Sequence, residues 1–439
     1  MTVVSFPGPF DGVGGDDGEG ADPFAAMAGM MSQFLAAFST QGSASWDQAK
    51  QMAAAVANEG VVESNVDPLD RMAFEQLSRV AELHIAELLG HPVSGRVTLV
   101  SRSQWTAAAI DAYRPLFERL ANSLGAAMRN QLADADEEDL RQISELTGGS
   151  FGPDPSAFLA GLSQMMGPMM LSMMAGSTVG QLGSRVFGNY DLPIPRPGSN
   201  DVLVVADTVR AFGDEWDIPA DDLRLWVCLH ELAQHEVLQQ PAVQTRLLEL
   251  LAAHAEGFTA DLSSLEASLA DVDPMSPEGM EALSNLVGDP ELVLGALRSE
   301  SQEQLLPHVD AIVCVAGGYV DWIVDTIGRR LLTDHDRISE ALRRRRVSTD
   351  QASRFVERLF GLELTQTKFD QGGEFVRVVV ERVGAQALEL LWVSAESLPT
   401  AAELSAPGLW LARQGLDQSS ELPELSEDFE IPDFPDLDS

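Results

Sequence analysis

LWVCLHELAQHEVL, residues Leu225 to Leu238, is the stretch on which the reading of this chain turns. It follows Pro219, Asp221 and Asp222, the kind of opening a helix favours, because proline has no N–H to lose and carboxylates suit the positive end of the helix dipole. Within it stand His230, Glu231, Gln234, His235 and Glu236. At about 100° per residue, side chains four apart share a face, so Glu231 and His235 fall together. His230 and His235 are five apart, about 500° of rotation, which leaves them roughly 140° apart. Both cannot chelate one ion from a regular helix, although a π-bulge between them would realign them. Taken alone, the stretch reads as an amphipathic helix with a polar edge and a Glu231–His235 pair.

The spacing is one residue removed from H-E-x-x-H. In that motif two histidines one turn apart hold zinc, and the glutamate between them is the general base for the metal-bound water. Here Gln234 takes the fifth position and the histidine is displaced to His235. A third ligand has to come from elsewhere in the chain.

Outward from this segment the chain reads as mainly α with a short sheet. Upstream, Asp201 to Asp207 (DVLVVAD) is an unbroken apolar run that predicts a strand, and Val97 to Val100 predicts a second. Between them, Asn189 to Gly198 (NYDLPIPRPG) is a proline-rich connector. Helical periodicity covers Pro68–Leu89, Trp105–Leu132, Glu137–Leu146 and Met165–Phe187. In the last of these, Gly176, Gly180 and Gly183 would admit another backbone, and the methionines serve as buried filler. Downstream, helices are expected over Ala242–Phe258, Leu305–Leu332, Ser348–Leu362, Asp370–Val383 and Gln386–Trp392. Pro23–Phe38 and Ser45–Glu59 are short helix candidates. The Gly- and Asp-rich start and the acidic tail from Leu416 to Ser439 should be disordered. The expected organisation is therefore an N-terminal region 1–66, a body 67–415 and a tail 416–439.

Charge narrows the function. The 439 residues include 68 acidic and 28 basic ones, a net of −40. Such a field repels phosphate backbones and anionic bilayers, so neither nucleic acid nor a membrane surface is an expected partner. Phe158 to Gly183 is apolar but broken by Gln164, Gly167, Pro168 and Ser172, so no membrane span is expected there. Two cysteines, Cys228 and Cys314, make no disulfide framework, and the start has no basic-then-apolar leader; both point to a reducing, cytoplasmic setting. Arg343 to Arg346 reads as a helix face pairing with the chain's own carboxylates. No Walker loop or dinucleotide glycine fingerprint is present.

Several blocks in order carry a resemblance. They are NYDLPIPRPG, DVLVVAD, DEWDIPADDLRLWVCLHELAQH (Asp214–His235), GGYVDWIVDTIGRRL (Gly317–Leu331), ISEALRRRR (Ile338–Arg346), FVERLFGLELTQTKF (Phe355–Phe369) and LWVSAESLPTAAEL (Leu391–Leu404). Together they resemble an actinobacterial zincin-like family of hydrolases and zinc-dependent metalloproteases, assigned largely by motif, over about Pro68 to Gly415. The resemblance implies a zincin-like, mainly helical body with a small sheet, a zinc cofactor and a kinship with proteins linked to deazaflavin cofactor biosynthesis. It also implies metal-binding histidines at the positions of His230 and Gln234, often a further histidine at that of His235, and the catalytic base at Glu231. A later E-G-[YW]-V-D segment would supply a glutamate as third ligand, and that position here is Gly317. The chain thus keeps His230 and Glu231 and departs at two ligand positions. His230, a bulged His235 and Asp321, one turn beyond Gly317, form a possible substitute set. Two functions follow: a metallopeptidase-family protein with a degraded zinc site, weakly active or non-catalytic and serving a protein or peptide partner; or an active zinc peptidase using His230, Glu231 and rearranged ligands. In either case His230 should face the helix of Tyr319 to Ile327. If the site is empty, Glu231 should pair with His235, and Gln234 should bond the His230 ring.

Overall fold

Local sequence signals set the helix ends. Asp67 accepts a hydrogen bond from the Leu69 N–H at 2.8 Å, and Gly90 closes the same helix in the left-handed region at φ 75°. Ser299 and Gln302 form a reciprocal capping box at the start of the longest downstream helix. The computed structural model describes residues 44–134, 169, 171–258, 299–347 and 351–416. In chain order the elements are α1 (Ala44–Ala57), α2 (Pro68–Leu89), β1 (Arg96–Val100), α3 (Arg102–Asp134), α4 (171–183), β2 (Asp201–Val205) and α5 (Ala206–Trp216). There follow α6 (Ala220–Leu238), α7 (Pro241–Glu256), α8 (Glu300–Leu331), α9 (His335–Val347), α10 (Gln351–Leu359) and α11 (Gln366–Val383). A 3₁₀ segment, Ala385–Trp392, precedes the short α12 (Ala401–Ser405) and α13 (Pro407–Arg413).

The architecture is mainly helical with a small sheet, as the periodicity and the two β-branched runs predict, and the structure adds that the two strands pair with each other in parallel. β1 and β2 pair from Arg96↔Asp201 to Val100↔Val205, and Gly188 bridges to Val204 in the antiparallel sense. The second strand is shorter than its apolar run suggests, because the chain turns into α5 at Ala206. The segment Gln386–Trp392 is 3₁₀ rather than α. The expected helices over Pro23–Phe38 and Glu137–Leu146, the N-terminal stretch 1–22 and the tail beyond Leu416 lie outside the described residues.

α6 is the centre of the molecule. It packs most extensively on α2 and α8, and α8 in turn packs on α11. α8 and α11 approach backbone to backbone: a Cβ on Gly318 would stand 2.2 Å from the Gly372 carbonyl carbon. α8 has the length and apolarity of a membrane span, but 72% of its most apolar window is buried inside the protein, as in a core helix. Ahead of the expected body boundary, α1 buries Ala49, Ala53 and Ala57. The glycines of α4 meet it: a Cβ on Gly176 would lie 2.8 Å from the Ala49 carbonyl, and one on Gly180 2.6 Å from Val56 Cβ. The described part of α4 buries Ala175, Val179 and Leu182, Met174 packs against the core as expected of a methionine filler, and Met173 is 47% exposed.

The main departure concerns α6 itself. Every residue from Glu231 to Leu238 is buried, so there is no solvated polar edge. Glu231, Gln234, His235 and Glu236 are enclosed by packing on both sides, and each buried polar group needs a partner.

Candidate functional site

α6 runs as uninterrupted α-helix, so no bulge realigns its histidines and they face different surroundings. The His230 ring stacks on Trp226, with centroids 4.9 Å apart and planes inclined by 13°. Its Nδ1 lies 3.5 Å from Glu231 Oε1. Together with Glu231, Gln234, Tyr190 and Gly317 it lines a cavity of about 80 Å³. His230 and the start of GGYVDW thus meet across one small space, in keeping with the packing of α6 on α8.

Glu231 is not paired with His235. Its Oε2 accepts the Tyr190 backbone N–H at 3.0 Å. Gly188 makes this possible: a Cβ there would lie 2.5 Å from that same oxygen, so only glycine lets the backbone come so close. Burial pushes the Glu231 carboxyl above its ordinary value, with the hydrogen bond and charge of His230 opposing and Asp191 adding to the rise. His235 instead meets Tyr190 through the phenol, Oη to Nδ1 at 2.8 Å. Its ring is fully buried under Gly95, where a Cβ would stand 2.8 Å from Cδ2. Nε2 has no hydrogen-bond partner among the described residues. Burial draws the imidazole below its usual pKa, with Glu236 opposing. Tyr190 therefore serves both residues that were expected to serve each other. No hydrogen bond joins Gln234 to His230 among the described residues.

Asp321 is committed elsewhere. Both its oxygens accept from Arg346, at 2.8 and 2.9 Å. Burial works against its charge, but Arg346, helped by the charges of His230 and Arg343, holds it below the usual carboxylate range. The neighbouring arginine follows the same rule. Arg345 bonds Asp191 Oδ1 at 2.7 Å and lies 3.6 Å above the Phe187 ring. Asp191 also accepts from the Phe187 and Gly188 N–H groups, which fixes the turn that carries Gly188 and Tyr190. Of the four consecutive arginines, Arg343 and Arg344 lie on the outer face, while Arg345 and Arg346 reach the cavity wall. Pairing with the chain's own carboxylates is found, and the Arg345 and Arg346 pairs are partly buried.

The donor set can be tested against zinc, which takes three convergent protein ligands and an open position in a catalytic site. Among the described residues that line this cavity His230 is the one imidazole. Gln234 offers an amide, and Gly317 offers no side chain. His235 is turned to Tyr190, and Asp321 is held by two bonds from Arg346. Among the described residues no group of three or more His, Cys, Asp and Glu side chains could hold a metal ion. The residues do not fit the ion. The cavity is also smaller than the roughly 300–1,000 Å³ of ordinary ligand pockets. A further carboxyl lines it: Glu357, nearly fully buried, is pushed up to about 7 by burial, against the Leu364 N–H and nearby arginines. Sequence reading missed Tyr190, Gly188, Asp191 and Glu357. The one available signal was NYD, which lies within a resembling block and carries no metal ligand of its own.

Comparison with known proteins adds the following. A family profile described as zincin-like metallopeptidase matches residues 44–411. The crystal structure of a "putative hydrolase with a novel fold" from Chloroflexus aurantiacus superposes with a TM-score of 0.55 at 21% identity, covering 84% of this chain and 98% of that one. At that identity the likeness shows the fold alone. None of the curated proteins compared matches the chain.

Proposed function

The chain belongs to the zincin-like metallopeptidase family, and we propose that it is a member whose zinc site has been replaced by a structural polar cluster. It acts by binding a protein or peptide rather than by metal-assisted hydrolysis. The observation that carries this reading is the double engagement of Tyr190, whose N–H holds Glu231 and whose hydroxyl holds His235. A general base for a metal-bound water must face that water. Here one Glu231 oxygen is tied into the backbone, and the second histidine is spent on a phenol. The Asp321–Arg346 pair supports the same reading, since freeing Asp321 for a metal would strand a half-buried guanidinium.

The test is metal content. The purified full-length chain, dialysed without chelator, should carry zinc at far below one atom per chain. The double variant Gln234→His, Gly317→Glu restores the two ligand positions. A side chain at Gly317 first meets the Phe369 ring, at 3.2 Å, which must shift by a few tenths of an ångström. That variant should bind zinc measurably. Stoichiometric zinc in the unaltered protein would overturn the reading and favour a peptidase using His230, Glu231 and rearranged ligands.

A further inference from the structure

A second cavity, of about 630 Å³, lies further along the same two helices. Glu236 and Gln240 line it from α6 and its C-terminal end, Tyr319 and Trp322 from α8, and Glu389 and Trp392 from the 3₁₀ segment. The 3₁₀ geometry matters. With three residues per turn, Gln386, Glu389 and Trp392 eclipse one another and present a single row to the cavity. On α8 the i, i+3 spacing puts Tyr319 and Trp322 side by side, centroids 5.6 Å apart, and Trp392 packs edge-on to Tyr319 at 5.2 Å. Three aromatic rings therefore form one contiguous wall.

Two carboxylates, Glu236 and Glu389, and one imidazole, His91, line the space, and the His91 ring meets the Pro92 carbonyl through Nδ1 at 3.2 Å. Glu236 uses a single oxygen, Oε1, for three bonds from Ser94 and Gly95, and its Oε2 accepts none among the described residues. Glu389 is exposed at the mouth. Neither lysine nor arginine is among the described residues that line the space. Aromatic faces and carboxylates both attract a cation, and a weakly hydrated organic cation gains most from the rings. A volume of this size fits a small organic molecule.

We propose that this cavity binds an organic cation through an alkylammonium head group, carried by a free small molecule or by a methylated lysine side chain. The site is separate from the His230 cavity and stands whether or not that one holds a metal.

The experiment is calorimetric titration of the full-length chain with choline and with its neutral isostere 3,3-dimethyl-1-butanol. Choline should bind saturably, and the isostere about tenfold or more weakly. Trp392→Leu should weaken choline binding about five- to tenfold and Glu389→Gln about threefold. Glu389 is exposed, so its variant keeps the fold even if Trp392→Leu does not, and thermal melts of both verify this. A trimethyl-lysine peptide binding more tightly than choline would assign the site to a protein side chain, and the reverse order to a free metabolite. Absence of saturable choline binding up to about 10 mM, a weakness of under 3 kcal/mol, overturns the proposal. So does equal affinity for the neutral isostere, or unchanged choline affinity in a folded Glu389→Gln protein.

Discussion

Two cavities share the walls of α6 and α8, and they differ in how their charges are satisfied. Around His230 the space is small, and, Glu357 aside, the charged groups named above already hold a partner: Arg346 on Asp321, Arg345 on Asp191, Tyr190 on Glu231 and His235. Around Trp322 the space is several times larger, and it is lined by two carboxylates and three aromatic rings with no lysine or arginine among the described residues. The first carries the letters of a catalytic motif and the second carries no motif. What separates a cluster that stabilises a fold from one that can take a ligand is whether each polar group already has its partner. Motif letters report residue types, and satisfaction depends on neighbours that come from distant parts of the chain.

Three changes test the first half of this contrast, taken from the largest expected effect to the smallest. Asp321→Asn strands Arg346 and should cost about 3 kcal/mol at pH 7 in urea unfolding, near the lower range for broken buried pairs because both side chains keep some solvent contact. Since Asp321 is held below the usual carboxylate pKa, the stability it adds is present above about pH 4 and is lost as pH falls through its lowered value. The gap between parent and variant should therefore close in acid. A neutral result at pH 7 would break the claim that this ion pair belongs to the scaffold.

Glu357→Gln should act in the opposite direction. Its carboxyl titrates at about 7 in the folded chain against an ordinary 4.5, so the folded state binds more protons between those values and stability falls as pH rises. At pH 8 the neutral variant should be more stable by about 3 kcal/mol, with the difference vanishing below about pH 4.5. Unfolding curves at pH 4.5 and 8 measure it. A Glu357 variant destabilised at pH 8 would mean that its charge is paired after all, which would sharpen the contrast further.

Tyr190→Phe removes the phenol from His235 and leaves the backbone bond to Glu231 intact. The expected loss is about 1 kcal/mol, the scale of one hydrogen bond with a buried ring nitrogen left unpartnered. A loss of several kcal/mol would show the phenol to be the keystone of the cluster, and no loss would remove the hydroxyl from the account.

The fold was largely legible because its signals are local. Asp67, Gly90 and the Ser299–Gln302 box mark helix ends through bonds within a few residues, and the β-branched runs at 97–100 and 201–205 announce the strands. The glycine row of α4 was legible too, since three small residues on one face imply a close neighbour. The site was legible only in part. His230 and Glu231 do line a cavity beside Gly317. The Glu231–His235 pair was not found, although helical spacing allows it, because Tyr190, 41 positions from Glu231 and 45 from His235, engages both side chains.

The sequence by itself determined the helical body, the two strand-forming runs, the family resemblance, and Gln234 and Gly317 at the positions where that resemblance implies ligands. These depend on residue identity and on periods of a few residues. Tertiary structure alone decided that α6 is buried on every side through its last two turns, that Gly188 brings a backbone N–H onto Glu231, and that Arg346 claims Asp321. The reason is physical. A buried polar group takes the partner with the best geometry among those that packing delivers, and packing is set by contacts far apart in sequence.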